Sequence, residues 1–488
     1  MKKATELADD LACEAGYVWE KRRIDRHLPV LFLVLGLPIG LLYAFIMPPL
    51  QVADEGSHFA RLYWVSRGAC VASPDVDIPQ SFARLNERFP PRLQNQRKTS
   101  MAEIWSYSQV PPNGTVMEGN GRQRSFDGFI NQNLYCCLPY VPAAVILNAG
   151  RHLGLSPLLL MYLARVGNLT VYLALTFFAL CLLPDFQWVL FCVALMPMAM
   201  HQAASISADS VGFALSFLLC AYVFRLAFAK LPQPIGASQL MLLGTLIALV
   251  ALSRSLPAVV LLPLLIPSAS FGSARRRWLA IAAFTLLTVV CLGSWQYLNR
   301  ANIERLSEER ATREWVVDVH SNTQFLYQHP LEASSFFVRT ITSFDYIRKK
   351  STEVVGRLGW LSLSLPGWLV CLYVALLAMA GATQTIDTKL SWLRRGLLLA
   401  FIVAGAASIL AAGWVLETPI VILGVPGSWA GFHILTQGRY WIPLAFPALI
   451  LLSNTRIRLK RWAFAVVGVA VILTANGVAI HAIRSTYY

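Results

Sequence analysis

Apolar residues in this chain come in runs too long for a soluble core, separated by short polar and basic stretches. Residues 28–47 are uncharged over 20 positions, about the length a helix needs to cross a hydrocarbon core. Pro48 and Pro49 then interrupt the run. Further runs of span length cover 158–183, 278–298, 360–382, 396–416 and 463–480. Shorter or interrupted candidates cover 188–200, 211–224, 240–252, 256–267 and 440–452. Basic clusters at 21–26, 225–230, 275–277, 389–395 and 456–461 belong on the cytoplasmic side of such a protein. That constraint makes 240–267 a hairpin of two short helices turning at Ser253, Arg254 and Ser255. It also keeps 139–153 from crossing, as a juxtamembrane or re-entrant helix on the outer face. The pattern predicts an all-α polytopic membrane protein with about 11 transmembrane helices, within about 10 to 13.

The same pattern divides the chain. A cytoplasmic tail, 1–27, precedes an N-terminal transmembrane module, 28–298, whose first external loop is 48–157 and carries juxtamembrane helices. A second external loop, 299–359, leads to C-terminal helices, 360–488, with an external loop at 417–439. The N-terminal anchor is full length with no small-residue cleavage site, so it is expected to be retained. The external segments converge on one face.

Composition changes this picture little. Of 488 residues, 56% are hydrophobic and only 14% charged, which excludes an ordinary soluble domain. A formal net charge of +15 would suit nucleic acid, yet much of it sits in clusters beside apolar runs. It reads as topology and attraction to anionic lipid, with no nucleic-acid partner. The nine cysteines lack metal-ligand spacing, and Cys181, Cys192, Cys220, Cys291 and Cys371 lie inside apolar runs. Cys70, Cys136 and Cys137 fall on the external side, where a disulfide from Cys70 is open. There is no internal repeat and no nucleotide-phosphate loop. A transferase working outside the cytoplasm would therefore draw on a lipid-linked donor.

The chemistry-bearing residues gather where apolar runs meet water. Asp54 and Glu55 follow the first run directly, and a carboxylate pair at a membrane edge is costly to desolvate. If a helix starts near Asp54, His58 and Arg61 share its face at i+4 and i+7. The bland alternative is a helix cap. Asp209 follows the polar turn 205–207 and equally suits the N-terminus of a helix beginning near Val211. Arg439, after Gly438, is a bidentate phosphate candidate, with Tyr440 beside it either in the site or in an interfacial aromatic belt. Arg254 is a second phosphate candidate, against simple snorkelling. Arg165, within a span near Asn168, reads as part of a buried network, and His201 as the cap of a broken helix.

Five stretches carry a resemblance: ADEGSHF (53–59), LPYVPA (138–143), MPMAMHQAASISAD (196–209), GRLGWLSLSLP (356–366) and QGRYWIP (437–443). In this order they resemble a bacterial domain-of-unknown-function branch of the GT-C superfamily of polyprenyl-linked-sugar glycosyltransferases. The resemblance implies a GT-C-like membrane module that moves a sugar from a polyprenyl-phosphate donor to a cell-envelope glycan or lipid on the periplasmic face of the bacterial inner membrane. It implies Asp54 as catalytic base, Glu55 as its orienting partner or metal ligand with His58 nearby, and Asp209 as a second acid. Asp54, Glu55 and Asp209 together would hold Mg or Mn if a metal is used; Arg439, Arg254 and Tyr440 would take the donor phosphate, with Arg61 near the substrate. A neighbouring membrane enzyme that loads the donor is an expected partner. A transporter or flippase of lipid-linked glycans is the alternative, and a non-catalytic scaffold a third reading.

Overall fold

A computed structural model of the chain describes residues 27–72, 78–110, 132–183, 185–228, 234–254, 256–311, 317–383, 390–418, 434, 436–454 and 459–488. The basic cluster at 21–26, parts of those at 225–230, 389–395 and 456–461, and most of the expected loop 417–439 lie outside these residues. The structure is all-α and polytopic apart from one short hairpin. Among the described residues seven helices are long and apolar enough to cross a membrane: His27–Ile46, Pro157–Leu182, Ala208–Ala227, Ala237–Arg254, Ala274–Leu298, Trp392–Glu417 and Trp462–Tyr487.

Four further apolar segments are shorter, and proline explains most of the shortening. Residues 188–200 break at Pro197 into helices Gln187–Ala194 and Pro197–Ala203. Residues 256–267 form a 3₁₀ segment, Pro257–Leu265, since Pro257 and Pro263 cannot donate to an α-helical ladder. The hairpin expected there is thus unequal, pairing this segment with the full-length helix Ala237–Arg254. The 440–452 pass is a 3₁₀ turn, Gly438–Trp441, followed by helix Ile442–Ile450. The expected span 360–382 is corrected to Gly367–Ala382, because 357–364 instead fold as an antiparallel pair, Arg357–Leu358 with Leu363–Ser364, and Pro366 starts the helix. Helix Val141–His152, expected not to cross, has 12 residues, about 18 Å of helix against a core of about 30 Å. The region 299–359 is largely helical, with Arg300–Ala311, Val319–Gln328, Pro330–Thr342 and Phe344–Gly356.

Side-chain contacts fix which ends of the passes lie together. Tyr488 donates to the carbonyl of Ile46 at 3.0 Å, so the first and last helices finish side by side. Arg165, in the first turns of Pro157–Leu182, donates to the carbonyls of Ala44 and Met47, so that helix begins where the first one ends. Asp209 at the start of Ala208–Ala227 pairs with Arg254 at the end of Ala237–Arg254. Trp295, near the end of Ala274–Leu298, donates to the carbonyl of Leu134 at 2.8 Å. At the opposite end Arg277 donates to Leu264, Arg395 donates to Leu451 and Ser453, and Arg394 lies over the Phe228 ring. The carboxylate end and the basic end are therefore separate. Between them every position of 188–210 is buried, and its first part, 188–200, is apolar on all sides, as such burial requires.

Candidate active site

The chain leaves the first helix at two prolines and turns at Asp54 with φ 65° and ψ 5°. Few residues with a side chain accept this left-handed conformation, and Asp is among those that do most readily. The turn is held by Ala53 N–H donating to Gly359 O (3.1 Å) and Glu55 N–H donating to Val52 O (3.1 Å). Asp54 thus stands at the cap position of helix Glu55–Ser66, but its side chain makes no capping bond. It reaches instead to Arg439, whose Nη2 donates to Oδ2 at 2.6 Å.

Arg439 is the hub of a chain of alternating charges. Its Nε lies 3.1 Å from Asp209 Oδ2, an ion pair whose angle misses hydrogen-bond geometry, and Arg254 donates to the other Asp209 oxygen. Nη1 reaches Ala53 O at 3.4 Å and Gln202 Oε1 at 3.5 Å. Two carboxylates and two guanidiniums leave the cluster neutral, which is what burial at this depth requires. Burial works against the charge on Arg439, and the paired carboxylates of Asp209 and Asp54 compensate it. The side chains of Arg439, Asp209 and Arg254 are 2%, 3% and 9% exposed, whereas Asp54 is 30% exposed. Only Asp54 presents this cluster to solvent.

Close packing sets both arginines in place. A Cβ on Gly438 would sit 2.3 Å from Glu353 Cβ and 2.6 Å from its backbone carbon, so only glycine lets the Arg439 turn lie against helix Phe344–Gly356. That helix grips the turn from the other side. Lys350 donates to Thr436 O and to Glu353 (2.6 Å), and Tyr346 shares a hydrogen bond with Thr436 (2.8 Å). Likewise a Cβ on Gly212 would lie 2.4 Å from Arg254 Cδ, so this glycine opens the path by which Arg254 reaches Asp209.

The other expected site residues are placed as follows around that cluster. Glu55 faces away from Asp54 into the bundle, where Arg165 holds both its oxygens (2.8 and 2.6 Å) and Ile206 N–H donates at 3.1 Å. Both side chains of that pair are 0% exposed, which fits a structural anchor. His58 stays close enough to Asp54, Arg439 and Asp209 for their charges to act on it, although its hydrogen bond goes to Tyr140, whereas Arg61 turns to backbone carbonyls. His58 Nδ1 lies 2.6 Å from Tyr140 Oη, and burial lowers its pKa to about 4, so the ring is neutral. Arg61 donates to the carbonyls of Ala69, Cys70 and Tyr135 and organises the first segment. The metal trio Asp54, Glu55 and Asp209 is not assembled: Glu55 is sealed with Arg165, and the other two carboxylates are neutralised by arginines. Among the described residues no three His, Cys, Asp or Glu side chains are placed to hold a metal ion, and these residues do not fit one. His201, at the end of a broken helix as expected, lies 3.5 Å from Gly359 N and edge-on to Tyr43.

Arg254, Asp209, Arg439 and Asp54 come together as a group, and Tyr440 lies half-buried with the Arg439 guanidinium over its ring. Sequence reasoning passed over Tyr140 and Gln202, although both sit in stretches already singled out. Lys350 and Glu353 carried no signal, since a polar pair at i,i+3 on a surface helix is ordinary. Cys70 is bonded to Cys137, and Cys136 is a buried free thiol. The bond ties the end of helix Glu55–Ser66 to the segment bearing Tyr135 and Tyr140.

A family model described as "Predicted membrane protein (DUF2142)" matches residues 37–448. No curated protein matches the chain. Among solved structures, ArnT from Cupriavidus metallidurans bound to undecaprenyl phosphate is similar over 94% of this chain and 75% of its own, at 14% identity and a TM-score of 0.31. That similarity is too distant to assign chemistry.

Proposed function

The chain belongs to the DUF2142 family of membrane proteins, and we propose that it is a GT-C-type glycosyltransferase, moving a sugar from a polyprenyl-phosphate donor to an envelope glycan or lipid. One observation carries the reading. Stretches beginning at 53, 138, 196, 356 and 437 fold onto one place, where a single half-open carboxylate meets a buried arginine at a membrane-protein edge. An acceptor hydroxyl would give its proton to the Asp54 carboxylate while its oxygen bonds to the anomeric carbon. The bond from that carbon to the phosphate oxygen breaks, and the electron pair leaves on the lipid phosphate, whose charge Arg439 stabilises. Direct displacement of this kind inverts the anomeric carbon. With two arginines supplying positive charge, the reading needs no metal step.

The Cys70–Cys137 bond supports an oxidising compartment for the site end, and basic residues at the other end support a cytoplasmic side there. The site then faces the periplasm from the inner membrane. The test is sugar transfer by the purified protein in lipid nanodiscs, offering a panel of polyprenyl-phosphate sugars and envelope acceptors to wild type and Asp54→Asn, with and without chelator. Donor cleavage that is lost in Asp54→Asn and indifferent to chelator supports the reading. Donor movement across the bilayer without cleavage in either protein replaces it with the flippase.

A further inference from the structure

We propose that an anionic group arriving at Arg439 displaces Asp54 from it, so that the donor's own phosphate frees the carboxylate that acts next. The proposal rests on the reading of Arg439 as the phosphate site and Asp54 as the base. In the structure every nitrogen of Arg439 is engaged: Nη2 with Asp54 (2.6 Å), Nε with Asp209 (3.1 Å), and Nη1 with Ala53 O and Gln202. A phosphate that binds bidentately must evict a partner. Ala53 O is backbone, Gln202 is 2% exposed, and Asp209 is 3% exposed and gripped by Arg254. Asp54 alone has room to move. Its side chain is 30% exposed, and Arg439 is the one hydrogen-bond partner of its carboxylate among the described residues.

The exchange has a chemical consequence. In the resting site Asp54 Oδ2 is taken up by the Arg439 Nη2 donor; released from it, that oxygen is open to accept a hydrogen bond from an acceptor hydroxyl. Exchange keeps the guanidinium paired throughout, so no buried charge is stranded. It also orders the reaction, because the base becomes available only once donor phosphate is seated. Finally it sets a penalty on binding. The apparent affinity is reduced by the fraction of sites in which Asp54 has let go.

Equilibrium binding of a short-chain polyprenyl phosphate to the full-length protein in zwitterionic nanodiscs tests this, with Asp54→Asn, Asp54→Gly and Arg439→Gln. Asn and Gly both accept the left-handed backbone at position 54, so the two Asp54 variants are expected to fold. A charged hydrogen-bonded pair, discounted for its partial exposure, makes the expected gain about tenfold tighter binding in both Asp54 variants. Arg439→Gln loses binding. Infrared difference spectra of wild type show a carboxylate band that shifts on phosphate binding and is absent from Asp54→Asn. Wild-type binding that is lost in Arg439→Gln but is no tighter in either Asp54 variant overturns the exchange and leaves the phosphate site standing. Tighter binding without the infrared shift also overturns it, because removing a nearby charge would then account for the gain. Absence of binding in wild type and all variants overturns the donor reading itself, and the exchange with it.

Discussion

The adjacent carboxylates Asp54 and Glu55 make the sharpest test, because the structure puts them in opposite environments. Glu55→Gln removes the charge facing Arg165 while keeping the shape. In the native pair, Glu55 Oε1 accepts from Arg165 Nε and Ile206 N–H, and Oε2 accepts from Arg165 Nη2 at 2.6 Å. Glutamine can keep the Oε1 bonds, but its amide nitrogen then faces the Nη2 donor. Arg165 still donates to the carbonyls of Ala44, Met47 and Pro48, so its charge stays buried at 0% exposure with no anion beside it. Breaking one side of such a pair costs about 3–5 kcal/mol. Arg165→Met should cost a similar amount by stranding the carboxylate. The double variant should recover part of the loss, with a coupling of about 2 kcal/mol or more. Urea unfolding in fixed mixed micelles, followed by pulse proteolysis, measures all three. A Glu55→Gln midpoint within about 0.5 kcal/mol of wild type, the range of an ordinary surface change, would refute the anchor. So would loss of transfer at unchanged stability, which would return Glu55 to the chemistry.

The remaining expectations concern what holds the site together. Gly438→Ala drives a methyl into Glu353 and its backbone, so it should cost about 1–3 kcal/mol and weaken phosphate binding, seen in a thermal scan and a binding isotherm on the same sample. Gly212→Ala meets a flexible side chain instead, so near-normal yield with loss of transfer is expected, through displacement of Arg254 from Asp209. His58, with a folded pKa of about 4, is neutral in the fold but takes a proton in the unfolded chain below its usual value of 6.5. Its contribution is therefore complete above that value and is lost as pH falls toward 4, by up to about 3 kcal/mol; His58→Gln should flatten stability across that window, measured by unfolding at stepped pH. Cys70→Ser opens a link between residues 67 apart, worth about 4 kcal/mol in the chain-entropy view. A reductant should reproduce that loss in wild type and do nothing to the variant.

Much of the architecture was legible because membrane passes announce themselves by length, by lack of charge and by the basic residues at one end. One broken pass could be read, since Pro197 begins the second of its two short helices; over 256–267 a short helix was expected, and Pro257 and Pro263 give a 3₁₀ segment instead. The hairpin at 357–364 was hidden, because its apolar residues continue smoothly into the helix that begins at Gly367 and imitate one longer span. The site was legible in its membership and not in its wiring. Asp54, Asp209, Arg254 and Arg439 all stood out as charges at apolar edges, yet nothing local says that a residue at 54 meets one at 439. The neighbours Asp54 and Glu55 gave the same signal. A left-handed turn at the first and a partner at Arg165 for the second send them to opposite environments.

That wiring also decides which residue can move. A neutral cluster of two carboxylates and two guanidiniums takes in a further anion only by giving up one of its own, because an excess negative charge at this depth is unaffordable. Asp209 is bound by both arginines and sits in the first turn of a helix, where the dipole also favours its charge. Asp54 has one arginine, a solvent-exposed flank and a backbone conformation held by neighbours rather than by its own carboxylate. Its side chain can therefore swing without undoing the turn that carries it. The residue least committed to the resting structure is then the one at the edge of the site, where an acceptor would arrive.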